Sequence, residues 1–133
     1  MTPCFADTFY FLAMLNPRDE AHTKAAALNA SLRRPLITTT WVLTEVADAL
    51  AHTRDRSLFS NFLASLRSDP RTIIVPATDE LFNRGVALYI ARPDKQWSLT
   101  DCISFTVMQQ FDLTEALTGD HHFAQAGFQT LLT

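Results

Sequence analysis

Short, largely apolar stretches recur along the chain at Pro3 to Ala6, Pro35 to Thr38, Thr72 to Val75, Glu115 to Thr118 and Phe128 to Leu132. Each has the length of a strand. None alternates polar with apolar side chains, the pattern expected of strands covered on both faces. Between several of them lie longer runs with helical period. An Ala-rich run from Asp19 to Leu32 starts at a residue suited to an N-cap and ends beside Arg33 and Arg34, where a helix dipole favours cations. From Trp41 to about His52, Val42, Val46, Ala49 and Leu50 form one stripe, and Thr39 or Thr40 can cap its start. Leu58, Phe59, Phe62, Leu63 and Leu66 repeat at helical spacing between Arg56 and Arg67, ahead of Pro70. Thr78 caps the next run, with Asp79 and Glu80 in its first turn and Leu81, Phe82, Val86, Leu88 and Tyr89 expected to face inward before Arg92 and Pro93 close it. The run from Ser98 to about Phe111 is apolar on every side, so it is expected to be the buried central helix. Strand and helix in alternation imply parallel pairing through right-handed crossovers, an α/β fold.

Composition narrows the classes and leaves that picture intact. A length of 133 residues suits one domain, residues 1–133. Hydrophobic residues at 47%, charged residues at 19%, and only 3 Gly and 6 Pro exclude disordered, collagen-like and low-complexity chains. No apolar run reaches the ~18 to 20 residues of a membrane span. The opening residues carry Asp7 and no Lys or Arg through Leu15, so no signal peptide is expected and the reading is cytoplasmic. Cys4 and Cys102 have no CxxC or CxxH neighbour and read as buried thiols. The net charge of −3 advertises no nucleic-acid partner. Yet if four of the 14 acids were neutralised by a bound cation, 10 would remain against 11 basic residues, and a polyanion could be tolerated.

Charge therefore matters by position. In open parallel sheets, ligands bind beyond the carboxyl ends of the strands. Asp7 ends the first apolar stretch, Asp120 follows the fourth on a Thr118-Gly119-Asp120 turn, Glu45 lies one turn into the helix after the second, and Asp101 stands in the first turn of the central helix. Taken singly, Asp7 and Asp120 could be turn residues or N-caps, Glu45 an ordinary polar edge, and Asp101 half of a Ser98-x-x-Asp101 capping box. Taken together they place four acids from four segments at one end of one sheet. A carboxylate close to so apolar a helix needs a compensating partner, and no Lys or Arg occurs after Gln96. Clustered carboxylates suit Mg²⁺ or Mn²⁺, which prefer oxygen ligands and support phosphodiester hydrolysis.

Four segments carry a family resemblance. Asp94-Lys95-Gln96-Trp97-Ser98-Leu99-Thr100-Asp101-Cys102-Ile103-Ser104-Phe105 resembles the third-acid motif of PIN-domain ribonucleases, in particular VapC-type toxins of toxin-antitoxin pairs. The opening Ala6-Asp7-Thr8, the segment Thr39-Thr40-Trp41-Val42-Leu43-Thr44-Glu45-Val46, and the segment from Ala116 to Phe128 resemble the other signatures in the same order. The resemblance implies a three-layer α/β/α sandwich with a central, mostly parallel sheet. It also implies a Mg²⁺- or Mn²⁺-dependent endoribonuclease acting on single-stranded RNA, a homodimer, and inhibition by an antitoxin peptide. Asp7, Asp101 and Asp120 are then the expected metal ligands, and Glu45 the residue that orients water or metal. One position departs from the pattern: Phe9 stands where the family often has Ser, leaving Thr8 as the hydroxyl there. RNA contacts would fall to Lys95, Arg92, Arg18 or Arg54 around the mouth.

Other acidic α/β classes fit less well. A haloacid-dehalogenase-type phosphatase requires Asp-x-Asp after its first strand, where position 9 here is Phe; a receiver domain requires a late-strand Lys, and the lysines are Lys24 and Lys95. His22, His52, His121 and His122 form no HExxH motif and read as exposed or capping residues. The competing class is a PIN-like module that binds RNA or protein without cutting. The apolar faces of Trp41 to Leu50 and Leu58 to Leu66 read equally as core packing or as the seat of an antitoxin's amphipathic peptide.

Overall fold

The structure, a computed structural model, describes residues 2–133 apart from the Thr53 side chain. In chain order the elements are β1 (Cys4–Ala6), α1 (Thr8–Leu15), α2 (His22–Ser31), β2 (Leu36–Thr39), α3 (Thr40–Ala49), a 3₁₀ turn (Thr53–Asp55), α4 (Arg56–Ser68), β3 (Thr72–Val75), α5 (Asp79–Ala91), α6 (Leu99–Gln110), β4 (Glu115–Leu117), α7 (His121–Gln125) and β5 (Gln129–Thr130). The strands form one sheet in the order β3-β2-β1-β4-β5, parallel throughout. Helices flank it in a three-layer α/β/α sandwich, the expected architecture. From β1 the chain builds outward through β2 and β3, then returns to the other side of β1 with β4 and β5. The order therefore reverses between β1 and β4, the place where open parallel sheets bind ligands beyond the carboxyl ends of their strands.

The core explains why these segments hold. Cys4, Phe5 and Ala6 of β1 are fully buried, as sheet-centre residues covered on both faces should be. In α6 every residue from Cys102 to Met108 is buried, so the helix that is apolar all round does lie at the centre. Phe105 sits edge-on to Trp97 (5.0 Å, 81°) and to Phe123 (4.9 Å, 87°), which ties α6 to the loop before it and to α7. Capping is also as the composition suggests. Thr39, Thr78 and Ser98 accept from Val42, Leu81 and Asp101 backbone N–H groups and start α3, α5 and α6. Cys4 and Cys102 are buried. No helix among the described residues is long and apolar enough to cross a membrane.

Several expectations are corrected. Helix α1 escapes the periodicity reading because Phe9, Tyr10, Phe11, Leu12, Ala13, Met14 and Leu15 form an unbroken apolar run with no polar face to mark a period. Asp19 does not cap α2; its carboxylate accepts from Ala21 N–H (2.8 Å) in a turn, and the helix starts at His22. Helix α3 stops at Ala49, and β5 shrinks to two residues. Phe82 and Tyr89 of α5 face outward, 42% and 52% exposed, because the core takes the Leu81, Gly85 and Leu88 stripe and leaves a second apolar stripe in solvent.

Gly85 sets how closely α5 approaches α6. A Cβ built on it would overlap Ile103 Cγ1 and lie 3.3 Å from the Ile103 backbone. In an exposed helix Gly→Ala adds about 1 kcal/mol of stability. Here Gly85→Ala is expected to lower stability instead, by about 1 to 3 kcal/mol, through overpacking against a β-branched side chain. Urea denaturation measures the sign directly.

Candidate active site

The register of β1 and β4 builds the site. Ala6 lies opposite Leu117, so Asp7 and Thr118 leave the sheet side by side. Asp7 takes the N-cap position of α1 but makes no capping bond with its side chain. It is 5% exposed, and its Oδ2 accepts from Thr118 Oγ1 at 2.9 Å. The same Thr118 hydroxyl accepts from Asp120 N–H at 3.0 Å, so one buried oxygen ties the first acid to the fourth. Asp120 caps α7, accepting from His122 N–H at 2.9 Å. Its capping role and its place in the cluster coexist.

The other two acids arrive on helices. Strand β2 neighbours β1, and α3 continues straight from it, which brings Glu45 over the end of α1; its Oε1 accepts from Thr8 Oγ1 at 2.6 Å. Asp101 completes the capping box of α6 through Ser98 N–H (3.2 Å), and the same Oδ2 lies 3.2 Å from His122 Nδ1. That ring nitrogen is also 3.4 Å from Asp120 Oδ1. A bond from it to an ionised carboxylate requires the ring proton on Nδ1. His122 thus bridges Asp101 and Asp120.

The electrostatics follow from crowding and burial. Burial pushes the Asp7 carboxyl up to about 7, against the hydrogen bond from Thr118, and the charges of Asp101 and Glu45 add to the rise. Burial likewise raises Glu45, with the Thr8 hydroxyl opposing and Asp101, Asp48 and Asp120 adding. Asp101 is raised by burial and by Asp120, with the Ser98 amide and His122 opposing. Among the described residues, lysines and arginines pair with Asp69, Asp94 and Glu115 and with none of these four acids.

All four acids expected from the sequence therefore meet at one crevice. His122 is the residue that reading missed. Two adjacent histidines diverge in mid-helix, yet at the first turn of α7 the rings of His121 and His122 stand 4.4 Å apart, and their nitrogens and an Asp120 oxygen lie within 4.8 Å of one another. The legible signal was an N-cap Asp with His two residues on. Of the basic candidates, Arg92 and Lys95 line a groove of about 860 Å³ that reaches Ser98 beside Asp101, whereas Arg18 and Arg54 line a different one with Asp19 and Asp55. Arg92 also pairs with Asp94 (2.9 Å) and lies over Trp97.

The donor set, hard carboxylate oxygens with one imidazole and no cation of their own, suits a divalent ion of the Mg²⁺ or Mn²⁺ type. The chain is thus an all-parallel α/β/α sandwich with four acids at its switch point. The chain belongs to the PIN domain family, whose model matches residues 4–129. Among solved structures it is similar to VapC20 of Mycobacterium tuberculosis, a sarcin-ricin loop cleaving toxin, with 26% identity and a TM-score of 0.83 over 94% of this chain and 95% of that one. No curated protein matches by sequence.

A raised carboxyl destabilises the metal-free fold at neutral pH. The unfolded Asp7 ionises near 3.8 and the folded one near 7, so stability falls as pH rises through that window, by on the order of 4 kcal/mol when Asp7 is fully ionised. In EDTA, the melting temperature of the wild type is expected to drop between pH 5 and pH 7.5 by more than that of Asp7→Asn. Parallel slopes for the two proteins would contradict the assignment.

Proposed function

We propose that this chain is a metal-dependent endoribonuclease, the toxin of a toxin-antitoxin pair. The observation that carries the reading is the convergence of Asp7, Glu45, Asp101 and Asp120 with no lysine or arginine to neutralise them. Asp7, Asp101 and Asp120 would hold the ion. A bound Mg²⁺ or Mn²⁺ would supply charge neutralisation at the phosphoryl group and activate a water for attack. The chain's own groups do the positioning. Thr118 fixes the Asp7 carboxylate, Ser98 and His122 fix Asp101, and Thr8 fixes Glu45. Glu45, raised by its burial, is suited to accept a proton from the attacking water. The whole chain, residues 1–133, acts as one domain in this reading. A binding-only module would need no such assembly of acids, and the likeness to an RNA-cleaving toxin over 94% of the chain supports cutting.

Partners follow from the surface. Between α3 and α4 runs an apolar groove of about 300 Å³ lined by Leu43, Ala47, Phe59, Leu63 and Ile74, the shape that receives one face of an amphipathic antitoxin helix. The exposed stripe of Phe82, Tyr89 and Ile90 on α5 supports a homodimer. Light scattering on a sizing column is expected to give twice the chain mass for the wild type and the single-chain mass for Ile90→Asp.

The direct test is cleavage of a pool of structured RNAs, a sarcin-ricin hairpin included, with Mg²⁺, Mn²⁺ or EDTA. Cutting is expected with either metal and not with EDTA, and Asp101→Asn is expected to lose at least about 100-fold. Equal cutting by the variant would trace the activity to a contaminant. No cutting by folded, antitoxin-free protein would overturn the reading.

A further inference from the structure

Phe9 lies two residues after Asp7 and is 37% exposed, outside the apolar core of the described residues. Its ring is nevertheless held in place. A Cβ built on Gly119 would lie 2.6 and 2.8 Å from Phe9 Cζ and Cε1, so the far edge of the ring rests on the Gly119 backbone. Gly119 is not in the left-handed region, where Gly127 is, so the ring, and not the backbone, is what leaves no room for a side chain there. Gly119 stands between Thr118, which bonds Asp7, and Asp120, which belongs to the cluster. A large aromatic ring is thus seated at the rim of the acidic crevice, half in solvent.

The geometry points to Phe9 as the stacking platform for a nucleobase next to the scissile phosphate. The inference rests on the ribonuclease reading and names how that site holds its substrate. The crevice is anionic and has no lysine or arginine paired within it, so attraction for a phosphodiester at its rim is weak until the ion is bound. Stacking on an aromatic face binds a base without using charge, and every base offers such a face. It also selects RNA whose bases are unstacked and free to splay outward, as in loops and single strands. The Arg92 and Lys95 groove that reaches Ser98 can then hold the backbone further along, which divides the work between a salt-independent contact at the cut and a salt-dependent one beside it.

The test uses single-stranded RNA spanning the mapped cut, with 2-aminopurine placed at each nucleotide in turn, bound to full-length protein carrying Asp101→Asn to prevent cutting. One position is expected to lose fluorescence on binding. Adding Phe9→Leu is expected to remove that quenching and weaken binding roughly 5- to 100-fold, by the same ratio at low and high salt, while Phe9→Tyr restores both. In the cleaving protein, Phe9→Leu is expected to raise KM and to leave kcat at saturating RNA nearly unchanged. Quenching at no position, or equal affinity and KM for Phe9→Leu, overturns the proposal. Should Phe9→Leu fail to fold, seen as loss of its cooperative thermal unfolding transition, the quenching pattern of the Phe9 protein decides alone. A wild type that neither binds nor cuts RNA removes the ribonuclease reading and this one with it; a wild type that cuts, beside an unaffected Phe9→Leu, removes only this one.

Discussion

Asp7 carries a carboxyl group into the protein at 5% exposure, and among the described residues no lysine or arginine pairs with it. An ionised carboxylate cannot be held there without compensation, because an unpaired buried charge costs several kcal/mol, roughly, even after the surroundings relax. Burial above all raises its pKa to about 7, the charges of Asp101 and Glu45 add to the rise, and hydrogen bonds from the Thr118 hydroxyl and the Thr8 amide oppose it. Such an arrangement is poor for the empty fold and good for a doubly charged cation. In the proposed reading, the crowded, buried carboxylates that destabilise the metal-free protein at neutral pH would serve as ligands to the ion.

The fold makes that crowding unavoidable. Because the strand order reverses between β1 and β4, the residues following both strands emerge at the same edge, and α3 enters from the neighbouring strand. Only α6 needs separate positioning. Its capping box fixes the first turn, and its buried run from Cys102 to Met108 holds the helix in the centre, so Asp101 is placed by core packing rather than by a loop. Hydrogen bonds from Thr8, Thr118, Ser98 and His122 then set the carboxylates one by one. The bonds from Thr8, Thr118 and His122 join separate elements, and that from Ser98 lies within the first turn of α6.

How far this was legible depends on whether the deciding signal is local. The first four strand-length apolar stretches, the caps Thr39, Thr78 and Ser98, and the uniformly apolar α6 are local, and they read correctly, whereas the fifth stretch gave a strand of two residues. Asp7, Asp101 and Asp120 were legible because each follows a strand or opens a helix, and Glu45 because it lies one turn into the helix that follows a strand. Helix α1 was not, since a run without polar residues has no period. The outward stripe of α5 was not, since two apolar stripes on one helix do not announce which one meets α6. The His122 to Asp101 and Phe9 to Gly119 contacts were hidden for a third reason: they join residues far apart in sequence, and nothing in either segment specifies the other.

If Asp7 holds a proton until a cation displaces it, binding of the ion must release that proton. Calorimetric titration of Mn²⁺ into metal-free protein, slightly below pH 7 and in two buffers of different ionisation enthalpy, measures the protons released per ion. Roughly half to three-quarters of a proton is expected for the wild type, rising towards one as the pH is lowered to 6 and declining as it passes 7, and none from this position in Asp7→Asn. Binding with no proton release in the wild type, or no binding at all, would contradict a metal site built on Asp7.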